Sequence, residues 1–176
     1  SDEKNSMDFF KKVRIVPVSI SYEYDPTDAL KMPQLMAEAN DEIYIKEKNE
    51  DFITLLSGII GQKKRIHIHV GDVLENEYEK IKAETDNNNK QIQALAQVID
   101  DSILQTYKLW PTNFIAYDIL YKTTRFEHLY NEKERQLFER RLEMRIDADN
   151  ETMKEGFLAM YANPVVNKLK YTNDVA

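Results

Sequence analysis

The run Ile15-Val16-Pro17-Val18-Ser19-Ile20-Ser21-Tyr22-Glu23-Tyr24-Asp25-Pro26 constrains the fold more than any other stretch of the chain. It reads as an apolar strand with a proline inside it, opening into tyrosines and carboxylates. Proline has no N–H to give to a sheet ladder, so it is tolerated only at an edge, at a bulge, or where the backbone serves another purpose. The strand read over Val13 to Tyr22 has Val16, Val18 and Ile20 on one side; Val13 and Ile15 begin the other before Ser19 and Ser21 turn it polar. A strand so apolar is expected to be covered on both faces, which favours a parallel sheet in a layered α/β fold.

A second strand, Ile66-His67-Ile68-His69-Val70, alternates strictly and ends at Gly71-Asp72. Between the strands, Asp25-Pro26-Thr27-Asp28 is a turn with a helix-start signal, and Ala29 to Ala39 reads as helical with Pro33 near its first turn. Asn49 is placed to cap a helix whose Phe52, Leu55, Leu56, Ile59 and Ile60 form one stripe, stopped by Gly61. Strand, helices and strand predict a right-handed crossover unit. Two strands make a poor sheet by themselves, so further strands are expected from outside the chain.

The rest of the pattern is helical. Ser6 can cap a short helix over Met7 to Lys12, and Glu75 to Glu84 is a polar helix followed by the connector Thr85 to Asn89. Lys90 to Leu109 closes at Trp110-Pro111, and Thr112 can cap a helix reaching Tyr121. Asn131 and Glu134 form a capping-box pattern ahead of Leu137, Phe138, Leu142 and Ile146. A last helix from Glu151 to Tyr161 is expected to end at Asn163-Pro164. The expected organisation is therefore an α/β portion over residues 1–73 and a helical C-terminal extension over residues 74–176, helix-dominated as a whole.

Composition narrows the function classes. At 176 residues, with 31% charged and 42% hydrophobic, the chain is long enough to bury a core and unlike a disordered one. It has no cysteine, which excludes disulfides, thiolate nucleophiles and cysteine-ligated metal centres within these residues. A net charge of -7 argues against nucleic acid and disfavours anionic headgroups, so peripheral membrane contact is left to a local patch such as Lys63-Lys64-Arg65. With no apolar run of spanning length and no secretory leader, a cytoplasmic location is expected, with contact at the inner face of a membrane left open.

The whole Val16 to Pro26 run resembles the Val/Ile-Pro-Val block of the glycerolipid acyltransferases, in a bacterial branch of the glycerol-3-phosphate and 1-acylglycerol-3-phosphate acyltransferase family. Gly61 to Gly71, Leu109-Trp110-Pro111-Thr112-Asn113-Phe114-Ile115-Ala116-Tyr117-Asp118 and Met160-Tyr161-Ala162-Asn163-Pro164 resemble later parts of the same branch, so the likeness covers most of the chain. It implies a transferase of phospholipid biosynthesis that moves a fatty acyl group from acyl-CoA or acyl carrier protein to glycerol-3-phosphate or a lysophospholipid, with no metal or organic cofactor. In that family a His-x4-Asp pair is the general base, and a Gly/Arg block binds phosphate. Neither is found here in its place, so the catalytic residues are expected upstream, and the chain alone is expected to be an inactive C-terminal portion. Pro17, Tyr22, Glu23, Tyr24 and Asp25 are the residues the resemblance assigns to the acceptor pocket.

Competing readings attach to the same residues. His67 to Asp72 matches His-x4-Asp literally, but an offset of five along a strand puts the two side chains on opposite faces. His67 and His69 share a face and could ligate zinc with Glu23 or Asp25 as a third ligand, although half-buried structural histidines are the commoner outcome. His128 reads as a solvated loop residue. Ser19 and Ser21 have no identifiable base. The methionine and aromatic stripes of the later helices read as core, and Glu132 to Arg135 and Glu139-Arg140-Arg141 as a solvated face. The main alternative function is a non-catalytic helical interaction or scaffolding module whose strands complete another chain's sheet.

Overall fold

A computed structural model describes residues 6–174, and among them eight α-helices accompany two strands. In chain order these are α1 (Ser6–Val13), β1 (Val18–Tyr22), α2 (Met32–Ala39), α3 (Glu50–Ile60), β2 (Ile66–Val70), α4 (Asn76–Glu84), α5 (Asn88–Thr106), α6 (Pro111–Leu120), α7 (Glu132–Arg145) and α8 (Glu151–Asp174). Backbone contacts divide the chain into one unit of residues 6–21, 67–108 and 171–174 and a second of residues 22–66 and 109–170. No helix among the described residues is long and apolar enough to cross a membrane.

The two strands pair with each other, and their direction overturns the expected parallel sheet and its crossover. Gly71 N–H donates to the Pro17 carbonyl at 2.9 Å, and Glu23 N–H donates to the Arg65 carbonyl at 2.9 Å. Advancing along β1 therefore means retreating along β2, and the sheet is antiparallel. Alternation reports which side chains share a face and is blind to strand direction, so the pattern alone could not decide this. The reading of two apolar faces also leaned on Val13, which belongs to α1; the chain turns only at Arg14, whose φ is 53°. Pro17 accepts from Gly71 but lacks the N–H for the return bond, and the next backbone bond, from Leu74 N–H to the Ile15 carbonyl at 3.0 Å, is one residue out of that register.

This register sets Ser19 opposite His69 and Ser21 opposite His67 on one face, with Val18 opposite Val70 and Ile20 opposite Ile68 on the other. The serine face is the covered one. Ser19 and Ser21 are buried, and Ser19 Oγ accepts a hydrogen bond from Thr106 Oγ1 of α5 at 3.0 Å. The four aliphatic side chains of the opposite face stay between 41 and 65% exposed. The core of the first unit is instead built by Met7, Leu74, Tyr78, Ile81 and Leu95 from α1, α4, α5 and the segment before α4.

In the second unit, Met32, Ile115, Phe138, Leu142, Phe157, Leu158, Tyr161 and Ala162 form the core. Asn131 and Glu134 make the reciprocal cap that starts α7, as their spacing predicts. Two other capping expectations fail. Asn49 adopts left-handed backbone (φ 70°) and makes no side-chain cap, while Thr112 lies inside α6, which is capped by Asn113 Oδ1 accepting from Trp110 N–H at 2.7 Å. The last helix also runs through Pro164. A mid-helix proline costs about 3 kcal/mol, but burying Leu158 and Val165 on the core side returns about 1.5–3 kcal/mol each.

The register has a direct test. The chain has no native cysteine, and Ile20 and Ile68 form a non-hydrogen-bonded pair, whose Cβ atoms approach to about 4.5–5.5 Å. The double variant Ile20→Cys/Ile68→Cys should oxidise to an intramolecular disulfide, read as a mobility shift on non-reducing gels. The pair Ile20→Cys/Val70→Cys, on a diagonal of about 7–8 Å, should cross-link far less.

Candidate functional site

The loop that follows β1 carries three of the five residues assigned to an acceptor pocket, Glu23, Tyr24 and Asp25, and each is tied down within the second unit. Glu23 has no exposed surface; Lys64 Nζ donates to its Oε1 at 2.7 Å, and Arg65 Nε and Nη2 donate to its two oxygens at 2.6 and 3.1 Å. Its own carbonyl accepts from Thr112 Oγ1 of α6 at 2.8 Å. Burial pushes the Glu23 carboxyl up, but the hydrogen bonds from Arg65 and Lys64 outweigh it and hold the group below the usual carboxylate range. Lys64 and Arg141 lie over the ring of Tyr24, and Arg65 lies over the ring of Trp110. Asp25 caps its own turn by accepting from Thr27 N–H and Thr27 Oγ1, each at 2.8 Å, and pairs with Lys31. Burial pushes the Asp25 carboxyl up, but the hydrogen bonds from Lys31 and Thr27 and the charge of Lys31 outweigh it and hold the group below the usual carboxylate range.

The residue that organises the loop is Asp28, which sequence reasoning left as an element of turn chemistry. Its side chain is wholly buried. Oδ1 accepts from Ala29 N–H and from Arg145 Nε, each at 2.8 Å; Oδ2 accepts from Arg141 Nε at 2.9 Å and from Tyr161 OH at 2.8 Å. A buried carboxylate with both oxygens doubly satisfied is the form in which burial is tolerated. The same donors reach the backbone of the loop. Arg141 Nη2 donates to Asp25 O at 2.9 Å, Arg145 Nη2 donates to Pro26 O at 3.3 Å, and Tyr161 OH accepts from Asp25 N–H at 3.0 Å. Burial and the charge of Asp28 push the Tyr161 hydroxyl up, so it remains a proton donor. Tyr161 is fixed from behind, because its carbonyl accepts from Asn113 Nδ2 at 2.9 Å.

Arg141 and Arg145 also line a groove of about 370 Å³ together with Pro26, Leu30, Ser57 and Ile60. Two guanidiniums face one buried carboxylate there, while Asp25 is balanced by Lys31, so the cluster keeps a positive excess of one. Such a groove suits a phosphate or carboxylate, for which the planar fork of arginine offers paired donors. The sequence reading placed Arg141 on a solvated face. The overlooked signal was the spacing of Arg141 and Arg145: like charges four apart on a helix repel unless an anion sits between them.

Pro17 is buried and lies in the other unit, where its carbonyl ends the ladder, and Tyr22 is half-buried at the end of β1. His67 Nδ1 and Ser21 Oγ are buried without a hydrogen bond, and His69 and His128 are exposed. Among the described residues no cluster of three His, Cys, Asp or Glu side chains is arranged to hold a metal, and the carboxylates considered as third ligands are engaged in the ion pairs above. No hydrogen bond joins His67 to Asp72. Comparison with family models, curated proteins and solved structures yields no match for this chain.

Asp28→Ala should lower stability by about 3–5 kcal/mol by stranding two partly buried guanidiniums, read as a fall in the melting temperature, whereas Lys133→Gln at an exposed position of α7 should change it little. Folded Glu23 binds its proton more weakly than in the unfolded chain. Its contribution to stability is therefore fully present above its ordinary value of 4.5 and is lost as pH falls through the lower folded value. Urea midpoints should drop on acidification below about that pH, and Glu23→Gln should flatten this part of the profile.

Proposed function

We propose that this chain is the C-terminal portion of a glycerolipid O-acyltransferase, which moves a fatty acyl group from acyl-CoA or acyl carrier protein to a hydroxyl of glycerol-3-phosphate or a lysophospholipid. In that chemistry a general base takes the hydroxyl proton, the alkoxide oxygen attacks the thioester carbonyl, and the thiolate leaves. The base and the primary phosphate ligands come from other parts of the whole enzyme, since their motifs do not occur here. This chain contributes the wall of the acceptor pocket.

The observation that carries the reading is the immobilised loop Glu23 to Asp28 beside the groove of Arg141 and Arg145. A segment resembling the family's Val-Pro-Val block ends in side chains locked by buried ion pairs, next to a local positive excess in an otherwise acidic chain. Fixed donors and a fixed wall are what positioning a phosphorylated acceptor requires, because misplacement by an ångström costs orders of magnitude in rate. A second reading, a non-catalytic interaction module, is favoured by one feature, the exposed aliphatic face of Val18, Ile20, Ile68 and Val70.

The two readings separate in an acyl-transfer assay on the whole protein encoded by the reading frame. The enzyme reading expects transfer from acyl-CoA or acyl carrier protein to glycerol-3-phosphate or lysophosphatidic acid, and none from the 176-residue chain alone. Arg145→Gln should raise the KM for the acceptor roughly tenfold, the loss of one charge-assisted hydrogen bond, with little change in the KM for the acyl donor. Activity in the isolated chain, or no transfer by the whole protein with either donor, would overturn the reading.

A further inference from the structure

The outer edge of β2 is an open row of backbone donors and acceptors. Pairing of Glu23 with Arg65 and of Pro17 with Gly71 turns the N–H and C=O groups of residues 65, 67, 69 and 71 toward β1, so those of Ile66, Ile68 and Val70 point away from it. The sheet has no third strand, and among the described residues no backbone or side-chain hydrogen bond reaches these outward groups. Ile66, Ile68 and Val70 are 49 to 65% exposed, and His69 is exposed beside them. An edge left this open normally carries a lysine, a carboxylate or a proline that discourages pairing. Ile66-His67-Ile68-His69-Val70 contains none of these.

We infer that this edge pairs with the same edge of a second copy of the chain, antiparallel, about a twofold axis at Ile68. A twofold interface has to be self-complementary, and this segment is. Ile68 faces its own counterpart, Ile66 faces the partner's Val70, and His67 faces the partner's His69, so aliphatic meets aliphatic and imidazole meets imidazole. Charge favours the same direction. The strand follows Lys63, Lys64 and Arg65 and precedes Asp72 and Glu75. Glu23 and Glu134 pair with Lys64 and Arg65, and Arg14 pairs with Glu75, which leaves one positive charge among the residues before the strand and one negative charge, Asp72, after it. Asp72 is exposed and makes no ion pair among the described residues. Antiparallel pairing brings the basic end of each copy to the acidic end of the other, whereas parallel pairing would set like ends together. A strand of unrelated sequence would match the backbone row but not this arrangement of charge.

The pairing turns two sheets of marginal size into one of four strands, held by the two bonds exchanged at each facing pair. Val18, Ile20, Ile66, Ile68 and Val70 of both copies then lie on one face, and the β2 side chains gain cross-strand neighbours that the monomer does not give them. The pairing uses neither the outer edge of β1 nor the residues that line the groove of Arg141 and Arg145. The inference therefore goes beyond the acyltransferase reading and does not depend on it; self-association and acyl transfer are separate measurements that can fail separately.

Sedimentation velocity of the 176-residue chain over a series of rising concentrations tests it. The 20.7 kDa chain should associate to a dimer, more tightly at low salt. Ile68→Lys and Ile68→Glu each set like charges face to face on the axis, and each should weaken dimerisation at least tenfold with an unchanged melting temperature, because the position is 60% exposed. An equimolar mixture of the two variants should dimerise again, as lysine meets glutamate across the axis. Neither a folding defect nor a partner of different sequence would give that recovery. Asp72→Lys should weaken the dimer at low salt, and Leu55→Ser/Ile59→Ser, at exposed apolar positions of α3, should leave it intact. A chain that stays monomeric at millimolar concentration, a dimer unaffected by either Ile68 variant, a mixture that does not recover, or a dimer lost through the α3 variant would each overturn the assignment.

Discussion

The buried carboxylate of Asp28 is the interaction on which the second unit's functional surface depends. A lone carboxylate in that position would be prohibitively costly, and its burial is made tolerable only by Arg141, Arg145, Tyr161 and the Ala29 amide together. The same donors then hold the carbonyls of Asp25 and Pro26, so the charge network and the loop backbone are one construction. Replacing such a network by apolar side chains can leave stability unchanged or raise it. Its use here is geometric: it fixes where the loop carbonyls point and leaves one guanidinium's worth of charge over for the groove.

Both units carry apolar surface on the outside and polar groups inside. In the first, the sheet covers its serines and presents Val18, Ile20, Ile68 and Val70; in the second, α3 covers its small residues and presents its aliphatic arc. Each inversion is costly in water, because the apolar surface left exposed forgoes about 25 cal/mol per Å² of burial. Surfaces of that kind mark where further protein or lipid is received.

How much of this was legible in the sequence depends on the range over which each feature is encoded. The capping box of Asn131 and Glu134, the apolar stripe of α3 and the interruption at Pro17 are local, and their spacing states them. Strand direction is not local: Ser19 and Ser21 alternate with Val18 and Ile20 equally well in either direction, and only the pairings of Pro17 with Gly71 and of Glu23 with Arg65, taken together, decide. A stripe likewise gives a face without saying which way it points, and for α3 and β1 the usual assumption, apolar inward, was the wrong one. Asp28 meets its arginines across more than a hundred residues, so turn chemistry was all that its neighbourhood displayed. Pro164 reads as a stop because its local penalty is plain, whereas the burial of Leu158 and Val165 that offsets it is a property of the whole core.

The most direct test of the account is amide hydrogen exchange at Asp25, whose N–H is held by Tyr161 OH in a loop of no regular secondary structure. If the Asp28 network fixes the loop, this amide exchanges only through global unfolding, with the protection of Leu142 in the core of α7. Exchange of the Asp25 amide at the rate of an open surface loop, with α7 still protected, would show that the loop moves independently of the buried charges and would contradict the account.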